Sequence, residues 1–174
     1  MGSKFKIWII LEYVSLSLFF AMSAWAQGAT IVRPSRVSKE SRELKIAPVL
    51  AGLRIGDSIE KGIIAIGKPL TKETLGVGEN APISYKSESS GISFVATQAE
   101  GIGIIFITYR DAGELDGLRV GDSFKNVLAK WGPPASGNNH NALWLSGKYV
   151  ITLAFDDSGR ISRLGIGVGM NIPI

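Results

Sequence analysis

The sequence predicts an α+β protein: two tandem α-β-β-β repeats whose strands join one antiparallel sheet, with both helices on one face. Three observations carry this expectation. The string Gly52-Leu53-Arg54-Ile55-Gly56-Asp57-Ser58 returns 65 residues later as Gly117-Leu118-Arg119-Val120-Gly121-Asp122-Ser123. Gly67-x-Pro69 returns in the same register as Gly132-x-Pro134, so eight of the 18 positions in 52–69 match their counterparts in 117–134. Self-similarity at a fixed offset is the mark of a repeated structural unit. Each copy then spells a helix with its start and stop, and strand-like runs follow each helix.

Before the first copy, residues 1–26 have the parts of an export signal. Lys4 and Lys6 lead an apolar stretch, and Ala24-Trp25-Ala26 offers the small-x-small pattern of a cleavage site between Ala26 and Gln27. An uncleaved membrane anchor is the other reading, because residues 7–26 are just long enough to span a bilayer as a helix. Glu12 opposes it, since a carboxylate held at the bilayer centre costs roughly 2.5–3.5 kcal/mol. The expected location is periplasmic or secreted, with the inner membrane as the alternative if residues 7–26 are retained. Residues 27–51 are polar and basic, with Pro34 and Pro48, and are expected to form a flexible tether.

Residues 52–116 form the first expected repeat and residues 117–174 the second. Ser58 and Ser123 stand where a hydroxyl can accept from a free amide of the first helical turn. Apolar residues follow at helical spacing: Phe124, Val127, Leu128 and Trp131 in the second copy, and Ile59, Ile63 and Ile66 in the first, with Gly62 opposite Val127. Gly67 and Gly132 can end the helix, and the proline two residues on prevents its resumption. Strands are expected at 83–86, 92–97 and 103–109, then at 142–145, 149–155 and 161–168. Asp156-Asp157-Ser158-Gly159 is a hairpin turn by composition. Along 149–155, Tyr149, Ile151, Leu153 and Phe155 alternate with Val150, Thr152 and Ala154, and the heavier set should meet the helices.

Charge and composition exclude several functions. The net charge of +4 resides in residues 1–51, while residues 52–174 hold equal numbers of acidic and basic side chains. A nucleic-acid-binding domain would show a basic surplus of its own, so no nucleic-acid partner is expected. Zero cysteines rule out disulfides, thiolate metal sites and an acylated cysteine, and a single histidine, His140, leaves little for acid–base work. No cofactor and no metal is expected. The duplicated Asp57/Asp122 and Arg54/Arg119 read as helix caps and local ion pairs rather than a shared catalytic site. Gly165-x-Gly167-x-Gly169 and Gly101-x-Gly103 open no helix, so they read as strands that bend or are closely approached by another backbone rather than phosphate loops.

Two resemblances follow from these motifs. VGDSFKNVLAKWGPP followed by YVITLAFDDSGRI resembles the repeat of the group that contains the small outer-membrane barrel-assembly lipoproteins and the β-lactamase inhibitory protein. IGDSIEKGIIAIGKP is similar to a weaker copy of it. The resemblance implies the helix-plus-meander fold and a non-catalytic protein-binding role. Unlike the lipoproteins, this chain has no cysteine to acylate. AGLRIGD followed by IGKPL also resembles the PDZ signature, which implies peptide binding. However, the nine residues from Ser58 to Ile66 are too many for that signature and carry helical periodicity. The expected function is therefore a non-enzymatic envelope protein that binds a protein or peptide partner through its sheet. A PDZ-like module, or an envelope enzyme, is the alternative. Lys86, Ser93, Thr97, Tyr109, Thr152 and Arg163 are expected to line the face opposite the helices, with Trp144 near its rim as an aromatic anchor.

Overall fold

The computed structural model describes residues 43–67, 69–138 and 140–168. The expected leader, its Ala26/Gln27 cleavage site and residues 27–42 of the expected tether lie outside this range. Residues 43–51 correct the tether's far end, because they are folded onto the domain. The Leu44 N–H donates to the Leu145 carbonyl at 2.8 Å, and the Ile46 N–H donates to Ser146 Oγ at 3.0 Å. Leu44 and Leu50 are buried, and Ile46 packs against the core. The apolar residues in an otherwise basic stretch anchor it. Val49–Leu50 (β1) then pairs with Leu53–Arg54 (β2) across a tight turn in which Ala51 and Gly52 both take positive φ.

Two helices follow the two copies of the motif, α1 at Ile59–Ile66 and α2 at Phe124–Trp131. Ser58 Oγ accepts from the Lys61 N–H at 3.3 Å, and Ser123 Oγ accepts from the Asn126 N–H at 3.2 Å. Gly67 and Gly132 end the helices at positive φ, their N–H groups donating to Ile63 and Leu128 carbonyls. Because Phe124–Trp131 is helical, the PDZ-like alternative, which places a strand there, is removed.

Each helix is followed by four strands, not the three expected. Thr71–Thr74 (β3), Ile83–Ser87 (β4), Ile92–Thr97 (β5) and Gly101–Ile107 (β6) follow α1. Ser136–Gly137 (β7), Asn141–Ser146 (β8), Tyr149–Phe155 (β9) and Ile161–Val168 (β10) follow α2. The two missed strands are the outermost ones. Every residue of β3 is exposed and β7 has two residues, so neither has an apolar alternation to read. The eight strands form one antiparallel sheet in the order β3-β4-β5-β6-β10-β9-β8-β7. Its centre is the β6–β10 seam, where Ile107 pairs with Leu164 and Ile105 with Ile166. The described residues are thus α+β: two α-helices, an eight-stranded sheet and a small two-stranded hairpin.

The core lies between the helices and one face of this sheet. As the alternation in 149–155 predicts, Ile151, Leu153 and Phe155 are buried, and Val150, Thr152 and Ala154 face away. Phe94, Ile105, Ile166 and Ile151 continue the buried face across the sheet by direct pairing. Gly62 of α1 sits on the Phe94 ring, while Trp131 and Phe124 of α2 meet Trp144 and Phe155 edge-on at 5.5 and 4.9 Å. Both helices therefore stand on the same face. Fully burying one such large apolar side chain contributes about 1.5–3 kcal/mol.

Candidate functional site

Period-two alternation sends every second side chain to the face that carries no helix. Two rows cross that face by direct cross-strand pairing. One runs Lys86, Ser93, Phe106, Gly165, Thr152, Leu143, and the other runs Ser84, Val95, Ile104, Gly167, Val150, Leu145. The middle of the face is therefore largely apolar; the edge strands add Thr71 beside Lys86, Glu73 beside Ser84 and Ser136 beside Leu143, while Leu145 ends its row. Val95, Ile104, Phe106, Leu143 and Val150 are half-buried by their neighbours, and Leu145 is 40% exposed.

The two glycines shape this surface. A Cβ at Gly165 would overlap the Phe106 ring and lie 2.8 Å from Thr152 Oγ1, so the ring lies across the strand where no side chain rises. A Cβ at Gly167 would come within 3.2 Å of Ile104. At Gly165 the close approach is made by neighbouring side chains, and at Gly167 by the Ile104 side chain together with the Gly103 carbonyl at 3.4 Å. At Gly101 the backbone does approach, because a Cβ there would meet the Asp57 carbonyl at 2.5 Å. Over Phe106 stands Arg163, whose guanidinium carbon is 5.2 Å from the ring centroid. Burial lowers the Arg163 pKa, and it remains charged near neutrality.

Of the residues expected to line this face, Lys86, Ser93, Thr152 and Arg163 do so. Lys86 is engaged by Glu88 at 2.6 Å. Thr97 sits at the end of β5, where its Oγ1 accepts from the Glu100 N–H at 3.1 Å, and it serves the hairpin turn. Tyr109 lies beyond the end of β6, 48% exposed, with its ring against Gly91. Trp144 is the clear correction. It has 0% exposure, points into the core, and donates from Nε1 to the Gly132 carbonyl at 3.2 Å. The strand Asn141–Ser146 is apolar on both faces, so nothing in its own alternation says which set is covered. The apolar centre formed by Val95, Ile104, Phe106, Leu143, Leu145 and Val150 went unnoticed for the same reason. Its signal is the mixed apolar composition of 92–97 and 101–107.

The duplicated aspartates hold their own loops together. Asp57 accepts from the Arg54 N–H at 2.7 Å and Asp122 from the Arg119 N–H at 2.9 Å, so they cap a turn while the serines cap the helices. Local ion pairs form at three of the four duplicated residues. Lys61 pairs with Asp57 and Arg110 with Asp122, while Arg119 pairs with Glu114. The Lys61 ammonium and the Arg54 amide hold Asp57 below the usual aspartate value near 3.8. For Asp122, burial opposes the charge, but the Arg119 amide and the Arg110 guanidinium outweigh it and its pKa is lowered too. Asp156 is lowered by the Arg160 amide and the Ser158 hydroxyl, and it organises the expected hairpin turn. His140 is exposed in its loop.

A pH dependence follows with a definite sign. These three carboxylates have folded pKa values below their unfolded ones, so their contribution is fully present above about pH 4 and is lost as pH falls through the folded values. The urea midpoint should be level from neutral pH to about 4 and fall below it. Asp122→Asn, which keeps an acceptor for the Arg119 amide, should make that fall shallower. An unchanged acid limb in this variant would remove the assignment of Asp122.

Among the described residues no group of three or more His, Asp or Glu side chains is placed to hold a metal ion. No helix among them is long and apolar enough to cross a membrane.

No family model and no curated protein sequence matches the chain. Among solved structures it is similar to a DUF4309 family protein (YjgB) from Bacillus subtilis, with a TM-score of 0.44 and 16% identity over 67% of this chain and 82% of that one. It is also similar to an extracellular protein containing a SCP domain from Bacillus anthracis, with a TM-score of 0.43 and 10% identity over 76% of this chain. The chain spans 50% of that protein's length. A candidate β-lactamase inhibitor protein from Streptococcus mutans gives a TM-score of 0.28 and 20% identity over 68% of this chain and 86% of that one. Resemblances at this level assign neither a family nor a function.

Proposed function

We propose that this is an exported, non-catalytic protein, built from two copies of one helix-plus-meander unit, that binds another protein or peptide through the helix-free face of its sheet. The observation that carries the binding is the apolar centre of that face: Val95, Ile104, Phe106, Leu143, Leu145 and Val150, with Thr152 among them and Lys86, Ser93, Ser84 and Ser136 toward its edges. An apolar middle with a polar rim is the anatomy of a protein interface. Contiguous apolar surface of this kind on a monomer marks an interaction site more often than it marks nothing. The two-copy reading is supported by matching details. The Gly56 and Ile102 pair of backbone hydrogen bonds has its counterpart in Gly121 and Ile161, and both helices share the serine cap and glycine stop. Export is supported by the leader's composition.

A photo-crosslinking residue tests the binding surface. Placed at Leu145 in the full chain and activated in cells, it should give a discrete adduct. The same residue at Ile64, 81% exposed on the helix side, should give none. Val150→Glu should abolish the Leu145 adduct. Adducts from Ile64 and none from Leu145 would move the interface to the helices and end this reading.

A further inference from the structure

We infer that the segment received by this face presents a carboxylate, from an Asp or Glu flanked by apolar residues in extended chain, and that Arg163 is the residue that receives it. The inference rests on the proposed binding face and names the chemistry of its partner. Its starting point is that Arg163 is a cation over an aromatic ring, with no counter-charge among the described residues. Among the described residues no carboxylate pairs with it, and no hydrogen bond joins it to another group. Lys86, the other cation of the face, is already neutralised by Glu88.

Position makes this unpaired charge consequential. Arg163 pairs with Ala154 in the row next to that of Phe106, and its guanidinium reaches over the Phe106 ring, which belongs to the apolar centre. Any partner that covers Phe106 must also cover the guanidinium. Covering a charge with purely apolar surface is strongly unfavourable, because the lost hydration has no replacement. The same surface becomes favourable when the partner supplies an acceptor, and a carboxylate matches the guanidinium fork in shape and charge. Stacking on the ring pre-orders the side chain, which lowers the entropy lost on pairing. Apolar neighbours on the partner then meet Val95, Ile104 and Val150, which flank the site in the next row. Residues 27–42 of this chain carry Arg33, Arg36, Lys39 and Arg42 against a single carboxylate, Glu40, so their net positive charge opposes docking beside Arg163.

The test uses a display library of random linear dodecapeptides selected on the full chain. The enriched peptides should carry an Asp or Glu next to apolar residues. For the best of them, Arg163→Met should weaken binding roughly tenfold or more, and Arg163→Lys less, since lysine keeps the charge without the fork. Changing the peptide's acid to its amide should weaken binding to the native chain by a similar factor and leave binding to Arg163→Met unchanged. Val150→Glu and Leu145→Glu, with folding checked by thermal unfolding, should each abolish binding. Peptides without an acidic residue, or with one that shows no coupling to Arg163, would overturn the inference while leaving the binding face standing. Binding indifferent to both glutamate variants would overturn the face itself. A dimer of the full chain that disappears with Val150→Glu would assign the face to a second copy and also overturn the inference.

Discussion

Trp144→Ala should destabilise the fold by about 3–5 kcal/mol, the range for removing a fully buried large aromatic. Trp144 has no exposed surface, meets Trp131 edge-on at 5.5 Å, and donates its indole N–H to the Gly132 carbonyl at the end of α2. Truncation therefore opens a cavity, removes an aromatic pair and leaves a helix-terminal carbonyl without its partner. The second helix is the element that should loosen, because Trp131 loses the surface it rests on. Urea unfolding at neutral pH gives the magnitude, and Trp144→Phe should fall well short of it. A loss below about 1 kcal/mol, with adducts from the helix-free face weakened instead, would return Trp144 to the role of a binding anchor.

Gly62→Val should destabilise by about 1–3 kcal/mol even though valine forms helix better than glycine does. A Cβ on Gly62 would lie 2.5 and 2.6 Å from two atoms of the Phe94 ring and 3.0 Å from Ile102 Cδ1. Helix propensity favours the change by less than ~1 kcal/mol, so overpacking decides its sign. The proposed two-copy arrangement adds a sharper expectation. Under it, Val127 and Leu153 occupy the places of Gly62 and Phe94, so the two halves divide a similar volume differently between helix and sheet. Phe94→Leu should then rescue part of the Gly62→Val defect, with a coupling of about 1–2 kcal/mol in a double-mutant cycle. Additive effects would show that the two sites do not share one space, and the volume-exchange reading would be withdrawn.

The helices were legible because their signals are local. Ser58 and Ser123 cap within three residues, and Gly67 and Gly132 act through their own φ. The strand Tyr149–Phe155 was legible because its two faces differ in weight. Asn141–Ser146 was not, because Leu143 and Leu145 on one side are as apolar as Ala142 and Trp144 on the other. The same ambiguity hid Ile104 and Phe106 among the apolar residues of Gly101–Ile107. The edge strands Thr71–Thr74 and Ser136–Gly137 owe their extended form to hydrogen bonds from a neighbour, which no alternation of their own reports.

The repeated helix signal, the alternation of the interior strands and the charge-neutral second part of the chain were decided by the sequence, since each depends on residues close together along it. The tertiary structure decided which face of each strand is covered. It also decided that Leu44 and Leu50 close the domain, and that Arg163 reaches over Phe106 with no carboxylate against it among the described residues. Those outcomes depend on pairing between distant strands: Phe106 meets Gly165 only because β6 and β10 lie side by side at the centre of the sheet. A strand carries the same residues on both its faces whether or not a helix covers one of them, and only packing makes one face core and the other a surface open to a partner.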